Sequence, residues 1–484
     1  MNPIFKQICL LFAVFSFLSG TSFAGEISFK PEKSQKIEST FSGDINQESS
    51  IHLITFKDKS LKKFGLKPFF IDKDDSIIEF EYVLFEFSAP SVISFHRNDN
   101  TLTLVLLKKF YKPYQKSRTK PLKELVIIDF DLVTKKSTQK IIEGFDDSST
   151  IIRLPNKTII LHKHDAKLEI SQLKNSQNIE ELKIEAKKEE LELFNSIFSD
   201  NVQYVNTNEY VKNGSVAATK LYFDDNLLFF DTVDKKNQIV DMMTIDLMDL
   251  GKLKFTTFGN LSDHKIKNIN TFIYDKKIFI VLKDKNGMSL EVFDIVTGEK
   301  QYHASLQEDL KDFIGSENLN KLSQKVSWSQ NRATITVNKS IEDKMVVRFD
   351  FINVNTYNYH HDWWFHHWMW QNQMMQQQQL MNQNINNMPR FGPNPDFYED
   401  LAFLDLKKED ISIDLVFDEN FTPLKDAKTE TKRKEVDKDF YLKIIEKNRD
   451  SKHASVAFSS RSIRSIFYSK TQKTFFIKTN TLKL

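Results

Sequence analysis

The distribution of apolar and polar residues along the chain predicts short β-strands joined by polar turns. The pattern is clearest at 276–300, where 278–282 is a continuous apolar run and 290–296 alternates between apolar and polar residues. Alternation with a period of two is typical of a strand with one buried face. Residues 283–287 carry Asp, Asn and Gly, which favour a tight turn. After a Thr-Gly turn, a third strand is predicted at 301–306.

Two sub-patterns of this segment recur along the chain. One is a polar turn followed by an apolar strand, with copies whose strands begin near Thr101, Thr158, Leu227, Ile278, Ala333 and Thr474. The other is an aspartate between apolar residues, at Asp131, Asp246, Asp294, Asp350 and Asp405. Most copies of the first pattern are separated by about 50 to 70 residues, which suits a four-stranded repeat unit. The chain is therefore predicted to be all-β: a single β-propeller of about seven four-stranded blades.

The two ends of the chain are predicted to close this ring. The strand at 474–479 lacks the partner strands of its copies, and 51–64 has the pattern of an outer strand pair. Joining them removes the exposed edges that an open array would present. Residues 179–198 interrupt the pattern with apolar side chains near helical spacing, which predicts a helix after an outer strand.

The repeated aspartates are predicted to be structural. Recurrence at one place in each unit indicates a turn or a hydrogen bond at a strand end, rather than an acidic site. The acidic segments 72–76 and 284–287 are likewise predicted to be hairpin turns, because they lack the full ligand set of a calcium loop.

The N-terminus has the pattern of a signal peptide. Residues 1–6 form a short basic segment, and residues 8–18 form an apolar one. Ser22 and Ala24 are small residues at the recognition positions of a cleavage site. Cleavage is expected after Ala24, which would place residues 25–484 in the periplasm or outside the cell. No later segment of the sequence has the length and hydropathy of a membrane span, so no integral membrane segment is expected after cleavage.

Charge and cysteine content narrow the class of protein further. The formal net charge is only +2, so the chain has no large excess of positive charge that would attract nucleic acid. The single cysteine, Cys9, lies in the predicted leader, so the mature chain has no disulfide. A large exported chain without disulfides fits a bacterial envelope protein better than a small secreted domain.

The segment SLEVFDIVTGEK at 289–300 resembles the strand-turn signature of quinoprotein-like and YVTN-like β-propeller repeat proteins. The resemblance implies the fold of those proteins. It implies no cofactor and no catalytic residue, because one fold carries many functions.

Residues 357–398 differ in composition from the rest of the chain and form a predicted low-complexity insertion rich in His, Trp, Met, Gln and Asn. Imidazole and thioether groups suit copper, and an exported protein meets copper in the envelope. The alternatives are a partner-binding loop and an insertion without a specific role, since such tracts often form loops. The candidate metal ligands are His360, His361, His366, His367, Met369, Met374 and Met375.

These observations predict an exported, non-catalytic binding module of the bacterial cell envelope, which presents loops at a propeller rim to a protein or glycan partner. One alternative is a copper-binding protein that uses the insertion. Another is a propeller enzyme whose site is assembled from several blades and forms no linear motif. The sequence contains no Gly-rich phosphate loop and no complete nucleophile elbow.

Overall fold

The computed structural model describes residues 29–353, 411–432 and 451–481, apart from short gaps at 47, 112–120, 146–148, 199–201, 208–210, 212–215, 235, 250–252, 260, 263 and 460–461. These residues form seven sheets, in which strands that are neighbours in space are mostly consecutive in the chain. Each sheet is therefore largely a meander. The chain divides into two compact units. Unit 1 covers Met1–His162, Ile170–Glu181 and Val436–Leu484, and unit 2 covers Lys163–Glu169 and Leu182–Glu435.

The first three sheets lie in the N-terminal part of the chain. Sheet 1 contains β1 (Gln35–Asp44), β2 (Ser50–Asp58), β3 (Lys63–Ile71), β4 (Ile77–Glu79) and β5 (Val83–Phe85), and both β4 and β5 pair with β3. Sheet 2 contains β6 (Ser91–Asn98), β7 (Thr101–Phe110), β8 (Leu122–Asp131) and β9 (Ser137–Glu143). Sheet 3 contains β10 (Thr150–Arg153), β11 (Thr158–His164), β12 (Lys167–Leu173) and β13 (Ile179–Glu185).

A short 3₁₀ helix (Lys188–Glu190) and the helix α1 (Leu191–Ile197) precede the next sheets. Sheet 4 contains β14 (Val202–Tyr204), β15 (Thr219–Asp224), β16 (Leu227–Asp234), β17 (Ile239–Asp246) and β18 (Leu253–Phe258), with β14 parallel to β15. Sheet 5 contains β19 (Asn268–Tyr274), β20 (Lys277–Lys283), β21 (Met288–Asp294) and β22 (Lys300–Ser305).

Two helices, α2 (Lys311–Ile314) and α3 (Ser316–Val326), lead to the last sheets. Sheet 6 contains β23 (Asn331–Lys339), β24 (Met345–Asn353), β25 (Ile413–Phe417) and β26 (Pro423–Leu424). Sheet 7 contains β27 (Ser451–Phe458), β28 (Ser462–Ser469) and β29 (Thr474–Thr481). The three strands predicted between 276 and 306 are confirmed as β20, β21 and β22. The assembly of the seven sheets as blades of one ring stays a prediction.

The strands β8, β17 and β21 each end in a turn of the same type. Asp131, Asp246 and Asp294 each accept, at Oδ1, the backbone N–H groups of the residues two and three positions later, at 2.7 to 3.4 Å. The residue after each aspartate is buried, and its N–H donates to a carbonyl in the preceding hairpin. The structural role predicted for these three aspartates is confirmed.

Asp350 does not follow this arrangement. It lies inside β24, which continues to Asn353, and its Oδ1 accepts the N–H of the adjacent Phe351. Because the strand does not end at the aspartate, no turn forms there. Asp405 lies outside the described residues.

Replacement of Asp294 by alanine is expected to lower the free energy of unfolding by about 1 kcal/mol, since two hydrogen bonds to a carboxylate are lost. The bond from the Thr297 N–H is the largest cause of the lowered pKa of Asp294. This stabilisation is therefore fully present above the ordinary carboxyl pKa and is lost as the pH falls through the lower folded value. Chemical denaturation at pH 7 and pH 3 measures both effects. The control is Glu299→Ala, an exposed carboxylate in the same turn; an equal loss in both variants would contradict the assignment.

Sheets 1 and 7, both in unit 1, pack face to face. Apolar residues of β2, β3, β28 and β29 form one buried cluster: Ile54, Phe69, Ile71, Ile466, Phe475 and Ile477. Between β1 and β27, the Thr40 hydroxyl donates to the His453 carbonyl at 2.8 Å. The Ser42 and Ser455 hydroxyl oxygens lie 2.7 Å apart. The first and last described sheets are therefore neighbours.

Two arginines hold the turn between β3 and β4 in this unit. Arg464 of β28 donates to Asp75 Oδ1 at 2.9 Å and to the Asp72 carbonyl at 3.1 Å. Arg97 of β6 donates to Asp72 Oδ1 at 3.1 Å. The Asp72 N–H closes the turn on the Ser76 carbonyl at 3.1 Å. The prediction of a hairpin turn at 72–76 is confirmed, and its carboxylates bind neighbouring sheets.

The chain ends do not share a sheet in the way that the sequence predicts. Residues 51–64 lie in β2, the following turn and the start of β3, the central strands of sheet 1 rather than an outer pair. The strand at 474–481 pairs with β28, and no sheet of the described chain holds strands from both ends. The prediction for 179–198 is also partly wrong. Its first seven residues form β13, and the α-helix begins only at Leu191.

Candidate functional site

An apolar seam between sheets 1 and 2 reaches the protein surface at one end. Within the seam, alternate residues of β7 and β8 pack against sheet 1 in one buried cluster. The same face continues along both strands, with Lys108 opposite Glu124 and Phe110 opposite Leu122. Phe110 is buried, whereas Leu122 is 38% exposed. The core of unit 1 therefore opens to solvent at this pair.

The loop 86–90, which connects β5 to β6, contains a strained turn. The Ser88 N–H donates to the Glu86 carbonyl at 2.9 Å, which closes a three-residue turn around Phe87. Phe87 has a φ of 70°, and a γ-turn with positive φ is rare and unfavourable for a bulky side chain. The Ser88 hydroxyl is buried without a hydrogen-bond partner in the described chain. Strained backbone of this kind is concentrated at functional sites.

The Phe87 ring packs against Phe110 on one side, and its other side is exposed to solvent. It stacks on Phe110, with centroids 5.5 Å apart and an interplanar angle of 11°. The Lys108 ammonium lies 4.4 Å from the centroid of Phe110 and 3.0 Å from Glu124 Oε2. Stacking and the paired ammonium fix the rings. Phe87 nevertheless remains 52% exposed.

We refer to Phe87, Phe110 and Leu122 as the Phe87 surface, because Phe87 stacks on Phe110 and Phe110 lies opposite Leu122 in the strand register. The nearby charges are paired, because Lys63 lies 3.3 Å from Glu86 and Lys108 is bonded to Glu124. This surface therefore offers exposed aromatic area without a net charge, the composition that is enriched where proteins bind one another.

A second group of polar residues is buried between sheets 1 and 7. The His52 ring has Ser42 Oγ at 2.7 Å from Nδ1 and Ser50 Oγ at 3.0 Å from Nε2. Burial, and then the charge of Arg464, lower the pKa of His52 to about 3. A serine beside a neutral histidine is the arrangement of an activated nucleophile. His52 and Ser42 are buried, however, and Ser42 also contacts Ser455, so the cluster joins strands rather than meeting a substrate.

Unit 2 buries a lysine and an aspartate on adjacent strands. Lys220 of β15 and Asp231 of β16 are register partners and are both fully buried. The Lys220 ammonium donates to the Thr271 carbonyl at 2.6 Å and to the Thr271 hydroxyl at 2.5 Å. Burial lowers the pKa of Lys220. Burial also raises the pKa of Asp231, and the Lys220 charge, the Thr271 hydroxyl and the Lys220 N–H oppose that rise.

The predicted metal ligands lie outside the described residues. These are His360, His361, His366, His367, Met369, Met374 and Met375, and the copper hypothesis stays a prediction. Elsewhere, the described part of the chain holds no group of three or more His, Cys, Asp or Glu side chains placed to bind a metal ion. None of its helices has the length and apolar character needed to cross a membrane.

The Phe87 surface and the two buried groups have weak signals in the sequence. Loop 86–90 has no periodic pattern, and the positive φ falls on a phenylalanine instead of a glycine. The buried residues His52, Lys220 and Asp231 stand on strands whose alternation would equally suit a solvent-facing polar residue. The nearest signal is the pairing of Lys220 with Asp231, which requires the strand register to be known.

No protein-family model matches the chain, and no curated protein matches it. Solved structures with similar architecture are found. Hsv2 from Kluyveromyces lactis is 10% identical, with a TM-score of 0.27, and the match covers 92% of this chain and 98% of that chain. The WD40 domain of SCAP from fission yeast is 8% identical, with a TM-score of 0.26, and the match covers 96% and 98%.

The β-propeller domain of the Trilobed protease from Pyrococcus furiosus is also similar. It is 8% identical, with a TM-score of 0.21, and the match covers 67% of this chain and 93% of that chain. At these TM-scores we carry over no residue, ligand or activity from any of the three.

Proposed function

We propose that the chain is a non-catalytic binding module of the bacterial cell envelope, built as one β-propeller of about seven blades. Seven meander sheets, and the packing of sheet 7 against sheet 1, support the propeller. The signal-peptide pattern of residues 1–24 supports export. The proposed binding role rests on the Phe87 surface. The proposed partner is a protein.

The geometry of the Phe87 surface favours binding in two ways. First, the rings are already fixed by stacking and by the Lys108 ammonium, so little side-chain freedom is lost when a partner covers them. Secondly, burying an exposed aromatic side chain contributes about 1.5 to 3 kcal/mol, which is enough for a small cluster to dominate an interface. The positive φ of Phe87 is unfavourable for a bulky side chain, and about half of that side chain stays exposed.

A photoreactive phenylalanine analogue tests this role in the bacterium that makes the protein. Placed at Leu122, it is expected to give one discrete protein adduct on irradiation. The matched position is Val133, which is 69% exposed and follows the other end of β8. Adducts of equal yield at both positions, or none at Leu122, would count against the proposal.

The variant Phe87→Gly separates binding from folding. Glycine adopts positive φ without strain, so the turn is preserved while the ring is removed. We expect the adduct at Leu122 to fall roughly tenfold or more, in line with the loss of one central aromatic contact. Thermal unfolding should change little. An unchanged adduct yield would show that the ring is not part of the interface.

A further inference from the structure

The seam between sheets 1 and 7 is crossed by a pair of hydroxyl groups that contacts a histidine. Ser42 of β1 and Ser455 of β27 form this pair, with their oxygens 2.7 Å apart. His52 of β2 has Ser42 Oγ at 2.7 Å from Nδ1 and Ser50 Oγ at 3.0 Å from Nε2. All four side chains are buried. The imidazole is therefore part of the contact that joins the first and last described sheets.

The seam between sheets 2 and 3 has the same arrangement with different residues. The Ser94 hydroxyl of β6 lies 2.7 Å from the Thr158 hydroxyl of β11. His96 of β6 places Nδ1 2.9 Å from Thr158 Oγ1 and Nε2 3.0 Å from the Lys174 carbonyl. His96, Ser94 and Thr158 are buried. Two seams in unit 1 therefore each contain a hydroxyl pair that crosses the seam and a buried imidazole bonded to it.

The Lys174 carbonyl determines which nitrogen of His96 carries the hydrogen. A carbonyl oxygen can only accept, so Nε2 donates to it and Nδ1 of the neutral ring accepts from the Thr158 hydroxyl. A neutral imidazole supplies one acceptor nitrogen, whereas a protonated imidazole supplies none. If His96 gains a second proton, one buried hydroxyl hydrogen of this group loses its acceptor. The same holds for His52, which also has hydroxyl partners.

The charged groups around His52 oppose its protonation. Burial is the largest cause of its lowered pKa, about 3, and the Arg464 charge is the second cause. The Asp75 carboxylate is bonded to Arg464 at 2.9 Å, so it serves that cation instead of His52. The pKa of His453, whose carbonyl accepts a hydrogen bond at this seam, is lowered by burial and then by two lysine charges, those of Lys452 and Lys36. Acid therefore acts against the closed seam at two histidines.

The charge of Asp129 only partly offsets the burial of His96. Burial is the largest cause of the lowered pKa of His96, and the bond to the Lys174 carbonyl and the Asp129 charge act in the opposite direction. The Asp129 carboxylate already accepts hydrogen bonds from the Thr103 hydroxyl and the Ser176 N–H, both at 2.8 Å. The ammonium groups beside this seam are bonded in two pairs, Lys157–Gln172 and Lys174–Glu180. We therefore expect a weaker response to acid here than between sheets 1 and 7.

We propose that these two groups make unit 1 acid-sensitive: below about pH 6, protonation of the histidines favours separation of sheet 7 from sheet 1 and of sheet 3 from sheet 2, while unit 2 keeps its fold. Each seam also holds a buried apolar cluster, which separation would expose. The described histidines of unit 2, His164, His264 and His303, all keep exposed surface, so protonating them costs little. The proposal does not depend on the Phe87 surface.

Buried thiols can report the opening of each seam. In full chains carrying Cys9→Ser, single cysteines replace Ile466 at the seam of sheets 1 and 7, Val105 at the seam of sheets 2 and 3, and Val281 in sheet 5 of unit 2. All three parent side chains are fully buried, so a pyridyl disulfide, which labels thiols at both neutral and acid pH, reacts only after local opening. Dividing each rate by that of free cysteine at the same pH gives the extent of opening.

Opening at Ile466→Cys is expected to be about 50- to 100-fold greater at pH 4.5 than at pH 7 through His52, because the open state binds a proton that the closed state excludes. Opening at Val105→Cys should increase less, and Val281→Cys should change little. Adding His52→Asn should lower the pH 4.5 to pH 7 ratio at Ile466→Cys by roughly tenfold or more and leave the ratio at Val105→Cys unchanged. Adding His96→Asn should do the reverse.

The exposed histidine His164 provides the control, and His164→Asn should change neither ratio. A variant that is less stable at pH 7 still tests the proposal, because each ratio compares one protein at two pH values. Labelling that increases equally in both units would overturn the proposal, since acid would then unfold the whole chain at once. Ratios near one in the parent, or ratios that do not change in His52→Asn and His96→Asn, would also overturn it.

Discussion

Replacing Lys220 by methionine is expected to lower the free energy of unfolding by about 3 kcal/mol, because two hydrogen bonds from the buried ammonium to Thr271 are lost and the nearby buried Asp231 loses the opposite charge that favours its ionised form. The substitution keeps most of the side-chain volume, so packing changes little. It leaves the Asp231 carboxylate fully buried without the Lys220 charge that favours its ionised form. The protein must then protonate Asp231 or unfold.

A double-mutant cycle distinguishes the lost charge from lost packing. The variant carrying both Lys220→Met and Asp231→Leu should recover most of the stability, because two apolar groups replace the pair. Lys254→Met is the control, since this lysine is exposed and donates to the Val296 carbonyl; its effect should stay below about 1 kcal/mol. Denaturant unfolding measures the parent, Lys220→Met, Asp231→Leu, the double variant and Lys254→Met, since the cycle needs both single variants. A double variant as unstable as Lys220→Met alone would show that packing dominates.

The stability of the protein is expected to fall by about 3 kcal/mol between pH 7 and pH 4.5 through His52 alone. The pKa of His52 is lowered from 6.5 to about 3, so the folded protein keeps the ring neutral while the unfolded chain binds a proton. A group with a lowered folded pKa contributes its full stabilisation above the unfolded value. The contribution is lost by about 1.4 kcal/mol for each pH unit below 6.5 until the folded value is reached.

Unfolding experiments from pH 5 to pH 6.5 isolate this effect, because carboxylates titrate mainly below that range. His52→Asn should reduce the slope of stability against pH by one proton. His96 and His453 also have lowered pKa values through burial, so part of the slope should remain. His164→Asn is the control, because the side chains of His164 and its neighbour Asp165 are 72% and 89% exposed. A slope that is unchanged in His52→Asn would show that His52 does not titrate as assigned.

Much of the local structure follows from the sequence because it depends on local rules. Alternation of apolar and polar residues predicts β21, since a strand with one buried face alternates. A continuous apolar run predicts β20, since a strand buried on both faces is apolar throughout. The turn aspartates Asp131, Asp246 and Asp294 are also predictable. Their carboxylates bond to backbone groups only two and three residues away, so no long-range contact is needed.

The arrangement of the sheets is harder to predict, because equivalent sequence copies do not always form equivalent strands. The turn-strand copies before Thr101, Thr158 and Ile278 become second strands of their sheets. The copy at Ala333 forms a first strand, and the copies at Leu227 and Thr474 form third strands. Strand position depends on which neighbours pair, and local pattern does not contain that information.

The candidate sites also depend on contacts that the local sequence pattern does not specify. The Phe87 surface depends on the meeting of loop 86–90 with the end of β7, and the Lys220–Asp231 pair depends on register. Neither is visible as a linear motif. The predicted metal ligands, by contrast, form a conspicuous composition in 357–398 but lie outside the described residues, so the structure does not test them.

The contact between the first and last sheets also affects how the chain reaches its folded state. Each meander can form from residues close in sequence, which is fast. The Ser42–Ser455 contact, however, joins residues 413 positions apart. Sheet 1 is synthesised early, and its face containing Ile54, Phe69 and Ile71 has no cover until sheet 7 is made. During that interval the nascent protein carries an apolar surface prone to aggregation, so we expect its yield to depend on chaperones that bind this face.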